Sequence, residues 1–155
     1  MYLNSLIDDN NIFFDLDLKT KNQVFQYLAT NLFNSGYIAS VNEYVKAVEY
    51  RESLSETGLG EGIAIPHGKD QIVNKAGIAF MRLKEPIKDW GSLDDKPVKY
   101  IFLLAIPQEN ENNEHIRMLS ELARCLIRKD VIEKVKSAKN KKELLSVLLE
   151  GEDMK

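Results

Sequence analysis

The chain holds two histidines, and the first of them, His67, lies in TGLGEGIAIPHGKD, residues 57–70. Imidazole titrates near pH 6.5, so much of it is neutral and nucleophilic around neutrality, which suits covalent catalysis. Around His67 the sequence offers groups that favour an oxyanion. They are the guanidinium of Arg51, the Thr57 hydroxyl, the backbone amides of the Gly58-Leu59-Gly60 loop and the helix start that carries the second histidine, His115. A nucleophilic histidine among anion-stabilising donors fits accepting and donating a phosphoryl group better than hydrolysis. The chain has no GxxxxGK[ST] phosphate loop, which argues against a nucleotide donor.

Other reactive residues fit bland roles. Glu109, Glu111 and Glu114 lie near His115, but two histidines and flexible carboxylates make a poor metal cage, so they read as a solvated acidic loop and no metal or cofactor is expected. Cys125, in LARCLIRK, falls between Leu122 and Leu126 and reads as a packed apolar residue rather than a phosphocysteine. Lys69 suits docking and plain solubility equally.

These residues need elements to position them. Ile63-Ala64-Ile65 reads as a short buried strand that Pro66 stops, presenting His67 at the rim of a sheet. Ile12-Phe13-Phe14 is a first strand among polar turn formers. Val24, Phe25, Leu28, Ala29, Leu32 and Phe33 form one face of a helix ended by Gly36. Ser40 to Glu43 has capping-box form, and Val41, Tyr44, Val45 and Val48 face inward, with Arg51 leaving the last turn on that side.

AGIAFMRL over residues 76–83 and the apolar run over 100–106, stopped by Pro107, are strands covered on both faces. Asn112 or Asn113 caps a helix whose inward stripe is Ile116, Leu119, Leu122, Ala123 and Leu126, with His115 in its first turn. A last helix begins near Asn140 and carries Leu144, Leu145 and Leu148, before a polar tail. Strands alternating with helices predict one α/β domain over residues 1–150, with a tail over 151–155 and helices on both faces of a mixed sheet.

Composition agrees. At 155 residues, 44% hydrophobic and 29% charged, the chain is one ordinary globular domain. A net charge of -3 argues against nucleic acid as a partner. The single cysteine, the lack of an apolar run of about 20 residues and the lack of a basic leader predict a cytoplasmic protein that is not membrane-embedded.

RESLSETGLGEGIAIPHGK, residues 51–69, resembles the phosphorylation-site signature of enzyme IIA of the fructose/mannitol class of the bacterial sugar phosphotransferase system. NNIFFDLDLKTKNQVFQYLATNLFNSGYI, DWGSLDDKPVKYIFLLAIP and HIRMLSELARCL are similar to the same family in order and spacing. The resemblance implies a sheet of about five strands and no metal requirement. It also implies that His67 is the phosphorylated nucleophile, through Nε2, and that His115 and Arg51 match the family's second active-site histidine and its arginine. Thr57 and Gly58 are candidate phosphate contacts. The partners implied are the histidine-containing phosphocarrier protein as donor and a cysteine of the cognate enzyme IIB as acceptor, serving sugar uptake, most simply of fructose. A nitrogen-related regulatory branch of the family is the alternative; sugar specificity and oligomeric state are not encoded in these motifs.

Overall fold

Two long strands send alternate side chains into two apolar layers, seen in a computed structural model that describes residues 2–108 and 114–153, with side chains for 2–108 and 116–151. Those strands are β5 (Gly77–Ile87) and β6 (Val98–Pro107), paired antiparallel with Phe80 opposite Phe102. Phe80, Phe102, Leu104 and Ile106 face one layer, whereas Ala79, Met81, Ile101, Leu103 and Ala105 face the other. Period-two alternation with both faces apolar is what a strand covered on both sides requires.

The sheet has six strands, where about five were expected, in the order β1-β5-β6-β3-β2, with β4 also on β6. Strand β1 (Ile7–Leu16) runs parallel to β5 and is longer than the three residues Ile12 to Phe14 suggest. Strands β2 (Gly58–Gly60) and β3 (Ile63–Ala64) form a small antiparallel pair that residue types alone do not signal. Its turn has positive φ at Gly60, Glu61 and Gly62, a conformation that glycine adopts without penalty. Strand β4 (His67–Asp70) then runs parallel to β6 in the register His67 to Leu104.

Two helices cover one face. Helix α2 (Lys21–Asn34) starts at a full capping box between Thr20 and Gln23, and α3 (Val41–Leu54) at Ser40, whose side chain accepts from the Glu43 N–H. The stripe from Val24 to Leu32 is buried as expected, but Phe33 is 47% exposed, because it falls at the edge of the stripe, where α2 has turned away from the sheet. Gly36, at φ +85°, closes the C-terminus of α2 with Tyr37 N–H bonding Leu32 O.

The opposite face is covered by α1 (Tyr2–Leu6), α4 (Glu114–Leu126), α5 (Lys129–Ser137) and α6 (Lys141–Asp153). Neither α1 nor α5 was expected from the sequence. Helix α6 continues through Asp153, so residues 151–153 of the polar tail are helical, and Gly151 is buried beside Val131 and Cys125. Within α4, Met118, Leu122, Cys125 and Leu126 make the buried stripe and Leu119 is half-buried. Ile116, assigned to that stripe from spacing, is 54% exposed. Cys125 is buried in the core, in keeping with a packing residue.

Candidate functional site

The placement of His67 begins with Pro66. Proline has no N–H for the ladder, so β3 ends and β4 starts afresh at His67. His67 therefore opens a strand instead of following one. Across this break Leu104 N–H bonds Pro66 O at 3.0 Å, and the Ile65 carbonyl receives the imidazole Nδ1 at 3.0 Å.

A carbonyl only accepts, so Nδ1 carries the proton in that bond. On the other side of the ring, Arg51 Nε donates to His67 Nε2 at 3.1 Å. Nε2 must then offer a lone pair, and the ring is the neutral Nδ1–H tautomer. The nitrogen expected to be nucleophilic is thus the one kept unprotonated, beside a permanent cation.

Arg51 is delivered by the last turn of α3. Tyr44, Val48 and Arg51 rise along one side of that helix, and the first two press on β4 at Gly68. A Cβ on Gly68 would lie 2.8 Å from Val48 Cγ2 and 2.9 Å from Tyr44 Cε1, so only glycine lets the helix approach this closely. The buried Tyr44 hydroxyl donates to Leu104 O at 2.7 Å, and burial pushes its pKa far up, so it remains a neutral donor. Beyond His67, the Arg51 guanidinium reaches Ser55 O at 3.0 Å and Ser55 Oγ at 3.2 Å.

A cleft of about 330 Å³ opens at this point, lined by Arg51, Glu56, Thr57, Gly58, Leu59, Ile65, His67, Leu93 and Leu119. Larger hollows lie elsewhere, between α5 and α6 and along α2, but neither contains the histidine–arginine pair. Thr57 is buried and its hydroxyl donates to Glu52 Oε1, while its carbonyl accepts from Ile65 N–H at 3.0 Å. Gly58 lies against the Gly91-Ser92 backbone, where an added Cβ would come within 2.6 Å of Gly91 O. Both candidates therefore shape the wall of the cleft. Lys69, two residues along β4 from His67, is exposed.

His115 is the second residue of α4; its side chain, like those of Glu109, Glu111 and Glu114, lies outside the described residues. Leu119, one turn further along α4, lines the cleft. The cap expected at Asn112 or Asn113 also falls outside them. Among the described residues, no cluster of three or more histidine, cysteine or acidic side chains gathers in metal-binding geometry.

Several contributors carry little signal in the sequence. Ser55 stands four residues after Arg51, a spacing that signals contact at a helix end. Glu52 adjoins Arg51 in sequence but points to a different set of partners. The Ile65 carbonyl has no side-chain signal at all. Among the described residues, no helix is long and apolar enough to cross a membrane.

The arrangement can place an anionic group on Nε2 and compensate its charge with Arg51, as phosphoryl transfer through histidine demands. The chain is 33% identical over 148 residues to the fructose-specific EIIABC component of the phosphotransferase system from Bacillus subtilis, an alignment covering 96% of this chain and 23% of that protein. It thus spans about a quarter of the length of that relative. The nitrogen regulatory protein IIA-Ntr from Neisseria meningitidis superposes with a TM-score of 0.86 at 32% identity, covering 96% of this chain and 99% of that one. In the complex of enzyme IIAMTL and phosphorylated enzyme IIBMTL from Escherichia coli, the similar chain gives a TM-score of 0.78 at 29% identity, with 94% and 99% covered. Residues 5–151 match the family described as phosphoenolpyruvate-dependent sugar phosphotransferase system, EIIA 2, and the chain belongs to that family.

Proposed function

We propose that this protein takes a phosphoryl group onto His67 Nε2 from the histidine-containing phosphocarrier protein and passes it to a cysteine of a cognate enzyme IIB. The observation that carries this reading is the clamped imidazole: Nδ1–H on Ile65 O at 3.0 Å and Nε2 facing Arg51 Nε at 3.1 Å. In the first step the Nε2 lone pair attacks phosphorus in line. The Nε2–P bond forms, the donor's N–P bond breaks, and its electron pair stays on the donor ring.

Arg51 then turns its N–H groups from Nε2 to the phosphoryl oxygens, neutralising charge where it develops. His115 supplies a second donor to those oxygens or orients the His67 ring, and Thr57 and Gly58 form the wall against which the group rests. In the second step a cysteine thiolate attacks phosphorus, the Nε2–P bond breaks, and the pair returns to His67. The partners are proteins, and Leu93, 76% exposed at the cleft mouth, and Leu54, 62% exposed one turn after Arg51, suit a transient protein contact. Such a relay is cytoplasmic.

Sugar uptake, most simply of fructose, is the role favoured by the fructose-specific relative. The likeness to the Neisseria regulatory protein supports a second reading, in which phosphorylation controls partner binding. Incubation with the phosphorylated carrier should add one phosphate by mass, and His67→Ala should remove it. Labelling that persists in His67→Ala would overturn the assignment. Onward transfer to a candidate enzyme IIB indicates uptake; partner binding that changes with phosphorylation, without such transfer, indicates regulation.

A further inference from the structure

The last turn of α3 holds His67 from two directions. Arg51 acts directly on Nε2. Its neighbour Glu52 starts a second path. The Glu52 side chain is only 6% exposed, and a buried carboxylate persists when it is paired and hydrogen-bonded. Here Oε2 meets Lys21 Nζ at 3.1 Å and Oε1 accepts from the Thr57 hydroxyl. Lys21 itself opens α2 and stands 5.5 Å above the Trp90 ring, so its ammonium is held from two sides.

From Thr57 the path continues through the main chain. Thr57 O accepts Ile65 N–H at 3.0 Å, and Ile65 O accepts His67 Nδ1–H at 3.0 Å. The bond at one imidazole nitrogen decides the protonation state of the other, so whatever fixes Ile65 O fixes the lone pair on Nε2. We propose that Glu52, anchored by Lys21, is a positioning residue that sets the tautomer and orientation of His67 through Thr57 and the Ile65 backbone. This rests on His67 Nε2 being the phosphoryl acceptor. It explains why Thr57, though in the cleft wall, spends its hydroxyl proton on Glu52.

The test compares Glu52→Ala, Glu52→Gln and Thr57→Val in the whole chain. Ring nitrogen NMR shifts of His67 report the tautomer without any phosphate donor, and single-turnover uptake from the phosphorylated carrier reports rate against donor concentration. Glu52→Ala and Thr57→Val should loosen the Nδ1–H bond to Ile65 O, move the ring nitrogen shifts away from the wild-type pattern and slow maximal uptake about tenfold with KM for the carrier unchanged. Glu52→Gln keeps an oxygen acceptor for Thr57 and should recover most of the rate. Wild-type ring signals and rate in a folded Glu52→Ala would overturn the inference; if that variant does not fold, wild-type ring signals in Thr57→Val would do so. Absence of phosphate uptake by the wild type would instead overturn the assignment of His67, a separate outcome from the tautomer measurement.

Discussion

Gly68→Ala is the sharpest test of how the fold places the site, because one methyl group is inserted between α3 and β4. The new Cβ would lie 2.8 Å from Val48 Cγ2 and 2.9 Å from Tyr44 Cε1. Comfortable carbon contacts begin at about 3.5 Å, so the helix has to retreat by roughly 0.7 Å. Both clashing residues sit on α3 within two turns of Arg51, and a rigid retreat carries Arg51 with them. The bond from Arg51 Nε to His67 Nε2, now 3.1 Å, would open to about 3.8 Å, beyond hydrogen-bond range. Overpacking of this kind costs about 1–3 kcal/mol of stability, and a misplacement near 1 Å can lower a rate by up to about 100-fold. The assay pairs urea unfolding with rapid-quench phosphoryl uptake from the carrier. Expected are a lower unfolding midpoint, at least a tenfold slower uptake and wild-type Nδ1–H ring signals for His67, since the Ile65 bond is untouched. A Gly68→Ala protein that loses stability yet takes up phosphate at the wild-type rate would refute the claim that α3–β4 spacing sets the site.

Two further outcomes follow from the same geometry. Arg51→Lys keeps the charge but loses the planar fork that spans His67 and Ser55, so uptake should fall about 10- to 100-fold, and Arg51→Ala about 100- to 1,000-fold, with little change in melting temperature; single-turnover kinetics check both. The Arg82 guanidinium, bonded to Asp15 at 3.0 Å, holds that carboxyl below its ordinary pKa despite the opposing effect of burial. A depressed pKa gives stability that is present above about pH 4 and is lost as pH falls through the folded-state value, so Asp15→Asn should be less stable than wild type near pH 7 and converge with it at low pH. Because Asp15 is largely exposed, the difference should stay under about 1 kcal/mol, read from urea unfolding across pH.

How much of this could be read beforehand varied with element length. The α2 and α3 stripes were legible because 14 residues, about four turns of 3.6-residue spacing, leave little ambiguity. Five-residue α1 is too short to show a period, and β2, reading Gly-Leu-Gly, has no strand propensity of its own. Helix α5 did carry a signal, with Val131, Ile132 and Val135 buried, but dense charge between them hid it. Phe33 and Ile116 were misplaced for a related reason: spacing marks a face, whereas the neighbouring element decides how wide a part of that face is covered.

The sequence by itself determined the cast of the candidate site and the alternation of elements that carries it. His67 after a proline, Arg51 at a helix end and apolar strands between amphipathic helices are all local features, written in residue type and spacing. Only the tertiary structure decided that α3 lies close enough on Gly68 to bring Arg51 to Nε2, and that the broken strand at Pro66 turns the Ile65 carbonyl toward Nδ1. Those contacts join groups whose separation is set by side-chain volume and by backbone carbonyls common to every residue, so no one-dimensional pattern records them.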